Sequence, residues 1–407
     1  MTNLEKFLTE IAPIESNQNS AQVAVKSKDY FWYSPILTEL LDGKVGDVIV
    51  TPRSQAELIK VAAICAKYRI NITVRGGGTG NYGQCVPMAG GVILDITKLN
   101  AVLNIEEGAV TCEAGILIAD LEQAVRADQV VSGGQEILMY PSTRDIATIG
   151  GFIAGGYAGA GSVRNGILKD AGNVTMIRVV TLEESPQVIE LHGADIQKVH
   201  HAYGTNGIIT ALTLRLKPAI DWVHHIGLFE SYSDALRFGC EATIAIGSRI
   251  DAFLITAVER RIAPYYTASF GDRFPTNKDA VFSMVNPDHL SEWRVLLAKH
   301  GGTESMALNE QEVKTNNLHP AFECAYNHTT LMALKVDKSW TNLQTVAPWQ
   351  PNVGIDIELV EKQMQRWGDE VLQHQFSHVD LPVELNQQES KRLVNCWRKW
   401  VLLHCEF

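Results

Sequence analysis

A chain of 407 residues with 46% hydrophobic and 20% charged residues has the composition of a folded protein of two or three domains, which excludes a disordered or fibrous one. Its 35 Lys and Arg against 46 Asp and Glu leave a formal charge of −11, a field that repels polyphosphates and argues against a nucleic-acid partner. The seven cysteines form no C-x-x-C pair, and neither a signal peptide nor an apolar run of about 18 residues is present, so reduced thiols, a cytoplasmic setting and no integral membrane segment are expected.

Residues 1–44 read as a helical lead-in. The first clear unit follows at 47–75: an apolar strand Asp47–Thr51, then Pro52, a helix, and a second strand Asn71–Arg75. Ser54 and Glu57 have the spacing of a capping box, and Leu58, Val61, Ala62, Cys65 and Ala66 recur at helical spacing, so the unit is β-α-β. Short strands at Gly91–Ile96 and Ala109–Glu113 and a helix over Ile118–Ala127 continue the alternation of an α/β fold. Between Gly150 and Gly166 stand seven glycines. Each costs about 0.5–1 kcal/mol in a helix or strand interior, so irregular backbone is expected there.

Strands are expected over Asn173–Thr181 and Gly207–Lys217, with a helix at Asp195–Tyr203 between them. Beyond Ala219 glycines thin out and aromatics increase, which places a domain boundary at 218–222. In the second part, helices are expected at Ser233–Ile246 and His289–His300, and a loop at Tyr265–Lys278.

The first candidate site is Arg75-Gly76-Gly77-Gly78-Thr79-Gly80-Asn81-Tyr82-Gly83-Gln84, directly after a strand. Successive glycines let the backbone approach an anion closely, so several N–H groups can converge on a phosphate. Gly78, Gly80 and Gly83 match G-x-G-x-x-G, but the residues that follow leave no room for the helix a Rossmann motif requires, and that reading is rejected.

The run ITVRGGGTGNYGQCVPMAGGVILDITKLN is similar to the flavin-binding segment of FAD-linked oxidases of the p-cresol methylhydroxylase and vanillyl-alcohol oxidase type, and resembles most the glycolate oxidase D-subunit and D-lactate dehydrogenase branch. Tyr140-Pro141-Ser142-Thr143, Thr148-Ile149-Gly150-Gly151 and Gly155-Gly156 resemble the second flavin segment. A third match is Gly204-Thr205-Asn206-Gly207-Ile208-Ile209-Thr210, followed by Leu214 to Pro218.

The resemblance implies an α+β protein. A two-lobed α/β FAD-binding domain of p-cresol methylhydroxylase type would span 45–220, and an α+β cap domain with a largely antiparallel sheet would span 221–407. Arg75, Gly76, Gly77, Gly78, Thr79, Gly80 and Asn81 would hold the FAD diphosphate. Pro141, Ser142, Thr143, Thr148, Gly150, Gly151, Gly155 and Gly156 would line the ribityl and ring portions, and Gly207, Ile208 and Ile209 would offer main-chain groups. Relatives that tether flavin covalently often use a histidine where Thr79 stands, so the FAD is expected to be noncovalent.

The second half would then supply the substrate pocket. Within Ala325–Lys335, which resembles a cap-domain stretch of some relatives, His328 is the candidate catalytic base. A histidine of purely structural role, bonded to main chain, is the plainer reading of the same residue. His374 and His378 have i, i+4 spacing, but no acidic motif accompanies them, and no metal is assigned.

The chain also departs from the resemblance twice. It has no H-x-G-D-G-N string, which puts a metal-assisted D-lactate or glycolate mechanism in doubt, and the tail that covers the flavin in relatives is expected to be lost or shortened. The expected activity is oxidation of a small 2-hydroxy acid or alcohol by hydride transfer to flavin, with oxygen, a quinone or an electron-transfer partner open as acceptor. The alternatives are a flavin reductase resembling the enolpyruvyl-sugar reductases, and a noncatalytic FAD-binding electron-transfer or scaffold remnant.

Overall fold

Short runs of β-branched residues bounded by glycine and proline build the first sheet. The computed structural model describes residues 1–156, 158–325, 332–333, 349–350, 354–355, 357–358 and 373–375. Strands β2 (Val48–Val50), β4 (Val92–Asp95) and β3 (Ile72–Arg75) run parallel, and β1 (Ser16–Asn17) closes one edge antiparallel in the order β1-β2-β4-β3. The two strands of the expected β-α-β unit are therefore separated by β4. Helix α4 (Gln55–Tyr68) joins them and buries Leu58, Val61, Ala62 and Cys65, the residues at helical spacing. Ser54 Oγ accepts the Glu57 N–H, whereas the Glu57 carboxylate accepts from Arg53 N–H and not from Ser54, so the capping box is half formed. Helix α1 (Asn3–Ile11) precedes β1, α2 (Ser20–Lys26) and α3 (Pro35–Leu41) lie between β1 and β2, and Phe7 and Ile11 of α1 enter the core of the sheet.

The second sheet is antiparallel throughout. Its order is β5 (Val102–Glu106), β6 (Ala109–Glu113), β10 (Ile208–Pro218), β8 (Val174–Val180) and β9 (Val188–His192), and β7 (Gln135–Ile137) pairs with the end of β10. Helix α5 (Ile118–Ala127) has the bounds its sequence suggests.

Two expectations are corrected here. The helix expected at Asp195–Tyr203 is a 3-10 segment over Gly193–Lys198, because His201 and Tyr203 adopt positive φ and cannot continue a right-handed helix. The glycine-rich stretch is not irregular throughout: Ile149–Gly155 forms helix α6 and Ser162–Asn165 forms α7. Close packing explains the exception, since a Cβ at Gly150 would lie 2.6 Å from the Ala114 Cβ. The Thr148 hydroxyl caps the first turn, and Gly156 ends the helix at φ +66.

The third sheet, also antiparallel, has the order β14 (Thr303–Leu308), β11 (Val223–Phe229), β13 (Asp279–Val285), β12 (Ala252–Val258) and β17 (Gln373–Gln375). Helices α8 (Tyr232–Ala245) and α10 (Leu290–Lys299) bury Phe238 and Trp293 against it. The loop expected at Tyr265–Lys278 contains short helical turns, among them α9 (Thr267–Phe270), since Tyr266, Phe270 and Phe274 bury their rings on Phe282. Helix α11 (Glu310–Thr315) and the two-stranded ladder β15 (Trp349–Gln350) and β16 (Gly354–Ile355) complete the described elements. Tyr140, Trp222, Phe253 and Phe322 carry one apolar core from the second sheet into the third.

Candidate flavin site

Strand β3 delivers the chain into the loop Gly76–Gln84, which continues to β4 without a helix. The N–H groups of Gly76 to Asn81 have no protein acceptor among the described residues, and five of these six residues are only half-buried. Such a run of unmatched amides is a cradle for an anion. Arg75 lies beneath it, donating from Nη1 to the Lys28 carbonyl at 2.7 Å and to Cys85 Sγ at 3.2 Å. Its Nε and the Asn81 Nδ2 are buried without hydrogen-bond partners among the described residues.

Gly78 has φ +66, and a Cβ there would lie 2.0 Å from Arg75 Nη2. A clamp that sequence reasoning missed holds the loop from the other side. Tyr30 N–H donates to the Gly80 carbonyl at 2.8 Å, and the neighbouring Asp29 carboxylate accepts from Phe31 N–H at 2.8 Å. Burial pushes the Asp29 carboxyl up to about 6. No local sequence pattern marks this clamp, because it joins segments about 50 residues apart.

The three glycine motifs meet. A Cβ at Gly76 would lie 2.1 Å from Thr148 Oγ1, and one at Gly77 would lie 2.1 Å from the Ile146 carbonyl oxygen, so the first loop rests directly on the second segment. Thr148 caps α6 above this contact, with Gly150 buried and Gly151 exposed beside it, while Ser142 is buried and Pro141 and Thr143 are half-buried. The chain before the third motif joins them: His201 N–H donates to the Ile153 carbonyl and Tyr203 N–H to the Ala154 carbonyl, and a Cβ at Gly156 would strike His201. Gly204 lies over Val74 at the end of β3. Beyond Gly207, at φ +141, the main chain of Ile208 and Ile209 has a strand neighbour among the described residues, β8, on one side only, since β6 ends opposite Ala211. These residues fit a dinucleotide, with a diphosphate cradle, a neutral glycine-lined path and an open strand edge. Thr79 stands in the loop, and no histidine lies between Gly76 and Gln84.

Charged groups gather just beyond the second segment. The Arg144 guanidinium covers the Phe322 ring at 4.4 Å and the Tyr140 ring at 5.3 Å, and donates to Asp145 at 3.0 Å and to Glu310 at 3.2 Å. Burial raises the Glu310 carboxyl, but the charges of Arg144 and Lys314 prevail and hold it near 2. His224 Nδ1 accepts the Ala321 N–H at 3.0 Å, which leaves the proton of the neutral ring on Nε2. That Nε2 is buried without a partner, and burial lowers the ring to about 4. His328, the expected base, lies outside the described residues, as do His378 and the side chain of His374.

Residues 46–187 match the family model of the FAD binding domain. The chain is 30% identical over 187 residues to a D-lactate dehydrogenase of Anaerostipes hadrus, an overlap of 42% of this chain and 37% of that protein. It is 27% identical over 183 residues to the glycolate oxidase subunit GlcD of Bacillus subtilis, again 42% and 37%. A third relative, the mitochondrial D-lactate dehydrogenase [cytochrome] of Arabidopsis thaliana, is 26% identical over 280 residues, 66% of this chain and 44% of that protein. The chain thus spans less than half the length of these relatives.

Among solved structures, a 4-ethylphenol oxidase from Gulosibacter chungangensis shares the fold with a TM-score of 0.62 at 16% identity, covering 92% of this chain and 80% of the other. An alkyldihydroxyacetonephosphate synthase does so at 0.64 and 17%, covering 82% and 64%. The protein is therefore a flavoprotein of the p-cresol methylhydroxylase fold, with FAD as its cofactor. Its FAD binding domain is similar to those of the D-lactate dehydrogenase and glycolate oxidase relatives.

Proposed function

We propose that the protein is an FAD-dependent oxidoreductase that oxidises a small 2-hydroxy acid or alcohol. The observation that carries this reading is the run of unmatched amides from Gly76 to Asn81, set against the second glycine segment and the open edge of β10. In this reading residues 45–220 form the flavin-binding unit and 221–407 the substrate unit. Gly76 to Asn81 bind the diphosphate through main-chain N–H groups, and Arg75 braces the loop from below. The 141–156 segment and Gly207 to Ile209 line the remainder of the cofactor.

FAD bound there supplies a hydride acceptor for the substrate carbon. His328 takes the hydroxyl proton as the carbonyl forms. The relatives named D-lactate dehydrogenase and glycolate oxidase support a hydroxy acid as substrate.

The test has two stages. Acid precipitation of the purified protein should leave the yellow colour in the supernatant, as expected of a noncovalent flavin. Anaerobic mixing with a panel of 2-hydroxy acids and simple alcohols should then bleach the flavin absorbance with at least one member. A holoprotein that no member reduces would overturn the reaction while leaving FAD binding intact. With a substrate in hand, His328→Asn should slow flavin reduction per bound FAD by about 10²-fold or more, since a positioned general base contributes about 10²–10⁴.

A further inference from the structure

Away from the glycine motifs, a cleft of about 320 Å³ opens between α7, the end of β10 and the loop after α8. Arg164, Lys217, Arg249, Asp251 and His289 line it together with the Gly247–Ile250 backbone. Three fixed cations thus face one carboxylate, a local positive excess in a chain whose formal charge is −11.

The nearby carboxylates are already engaged. Asp251 accepts from Arg164 Nε at 2.6 Å and from Asn286 Nδ2 at 3.3 Å. Glu241, 3.5 Å from Arg249, is held more closely by Lys299 at 2.7 Å and His300 at 2.9 Å. Lys217 Nζ bonds only the neutral Asn165 Oδ1, at 2.6 Å, and no ion pair forms on it among the described residues. Burial, and after it the charges of Arg164 and Arg215, pushes Lys217 below the usual lysine range. His289 adds a buried Nδ1 without a hydrogen-bond partner among the described residues.

We infer that this cleft binds a small dianionic oxyanion, a dicarboxylate or inorganic phosphate, between Lys217 and Arg249. Such an anion supplies the missing counter-charge and accepts charge-assisted hydrogen bonds, which are about twice as strong as neutral ones. The volume sits at the lower end of small-ligand sites, about 300–1,000 Å³, and suits a compact ion better than a nucleotide. Arg164 and Lys217 precede residue 220 whereas Arg249, Asp251 and His289 follow it, so the ligand bridges the two parts of the chain. The inference stands independently of the flavin reaction.

Isothermal titration of the FAD-loaded protein with sodium phosphate, and separately with malonate, at an ionic strength fixed with NaCl, tests it. Saturable one-site binding of at least one probe is expected, and which probe binds identifies the anion. Lys217→Met should weaken that binding at least tenfold. Arg249→Met, at an exposed side chain, should weaken it at least threefold and decides the matter alone if Lys217→Met does not fold. Heat no different from NaCl dilution with both probes, or affinity unchanged in Arg249→Met, would overturn the inference.

Discussion

Two contacts organise the molecule, and they are made of opposite materials. Where the first glycine loop meets the second segment, Gly76 lies on the Thr148 side chain and Gly77 on the Ile146 carbonyl, with no charged group in the contact. Where the second segment meets the later part of the chain, Arg144, Glu310, Tyr140 and Phe322 make a junction of charge on aromatic rings. The first contact has no slack for a single methyl group. The second is adjustable, because its strength depends on which groups are ionised. The proposed cofactor cradle, built from main chain, is thereby kept rigid beside a seam that pH and sequence can tune.

The sharpest way to break this contrast is Gly77→Ala. Its Cβ would sit 2.1 Å from a backbone carbonyl, so one of the two loops must move. Overpacking typically costs about 1–3 kcal/mol, and here the displaced atoms are the cradle itself, so bound FAD should be lost on purification. Gly108→Ala is the control: Gly108 has a positive φ, +80, which Gly77 does not, but a Cβ there meets nothing within 4 Å. Backbone strain alone costs about 1 kcal/mol or slightly more, and flavin content should be unchanged. The flavin-to-protein absorbance ratio of the two variants measures the difference. An alanine at 77 that kept its flavin would mean the two loops are free to separate.

The charged junction should respond less. Arg144→Met keeps the bulk over Phe322 and removes one of the two cations, with Lys314, that hold Glu310 low. A fully buried broken pair costs about 3–5 kcal/mol, but the Glu310 side chain is 40% exposed, which reduces the expected loss to about 1–2 kcal/mol at pH 7. The sign follows from the lowered carboxyl. Its stabilisation is present above the ordinary 4.5 and lost as pH falls toward about 2. The variant should therefore trail the parent most at neutral pH and least near pH 3, as read from denaturant midpoints.

How much of this was legible in the sequence follows from the same contrast. The proposed cradle is legible because main-chain binding would demand glycine at fixed places, and Gly76, Gly77, Gly78, Gly80, Gly150, Gly151 and Gly207 are all visible as letters. Helix α6 was misread for the same reason: its glycines serve close approach to Ala114, a partner no local pattern reveals. The Arg144–Glu310 pair spans 166 positions and the Arg75 contact with Lys28 spans 47, and neither has a periodicity to betray it. His328 remains a proposal resting on sequence alone.

A second charged cluster sharpens the comparison with the smallest effect. Glu136 is 2% exposed, and its Oε2 accepts from Arg126 at 2.7 Å, Trp222 Nε1 at 2.9 Å and Ile220 N–H at 3.2 Å, fastening the chain just after Pro218. Burial, then the neighbouring Glu122, pushes its carboxyl up from 4.5 to about 7, the reverse of Glu310. In the folded protein it binds a proton more readily than in the unfolded chain. Its contribution is therefore fully present below pH 4.5 and is lost as pH rises through about 7. Its Oε1 has no hydrogen-bond partner, with Arg164 Nη1 4.0 Å away. Glu136→Gln can thus keep every bond at the Oε2 position and place its NH₂ where nothing is now accepted. Stability at pH 7 should fall by about 1 kcal/mol, since the Oε2 partners keep their bonds while the new NH₂ is a buried donor with no acceptor. The fall in stability between pH 4.5 and 7 should flatten, because the titrating proton is gone. Denaturant midpoints across that range for parent and variant decide it, and two parallel curves would show that Glu136 is ionised throughout and that Arg126 outweighs its burial.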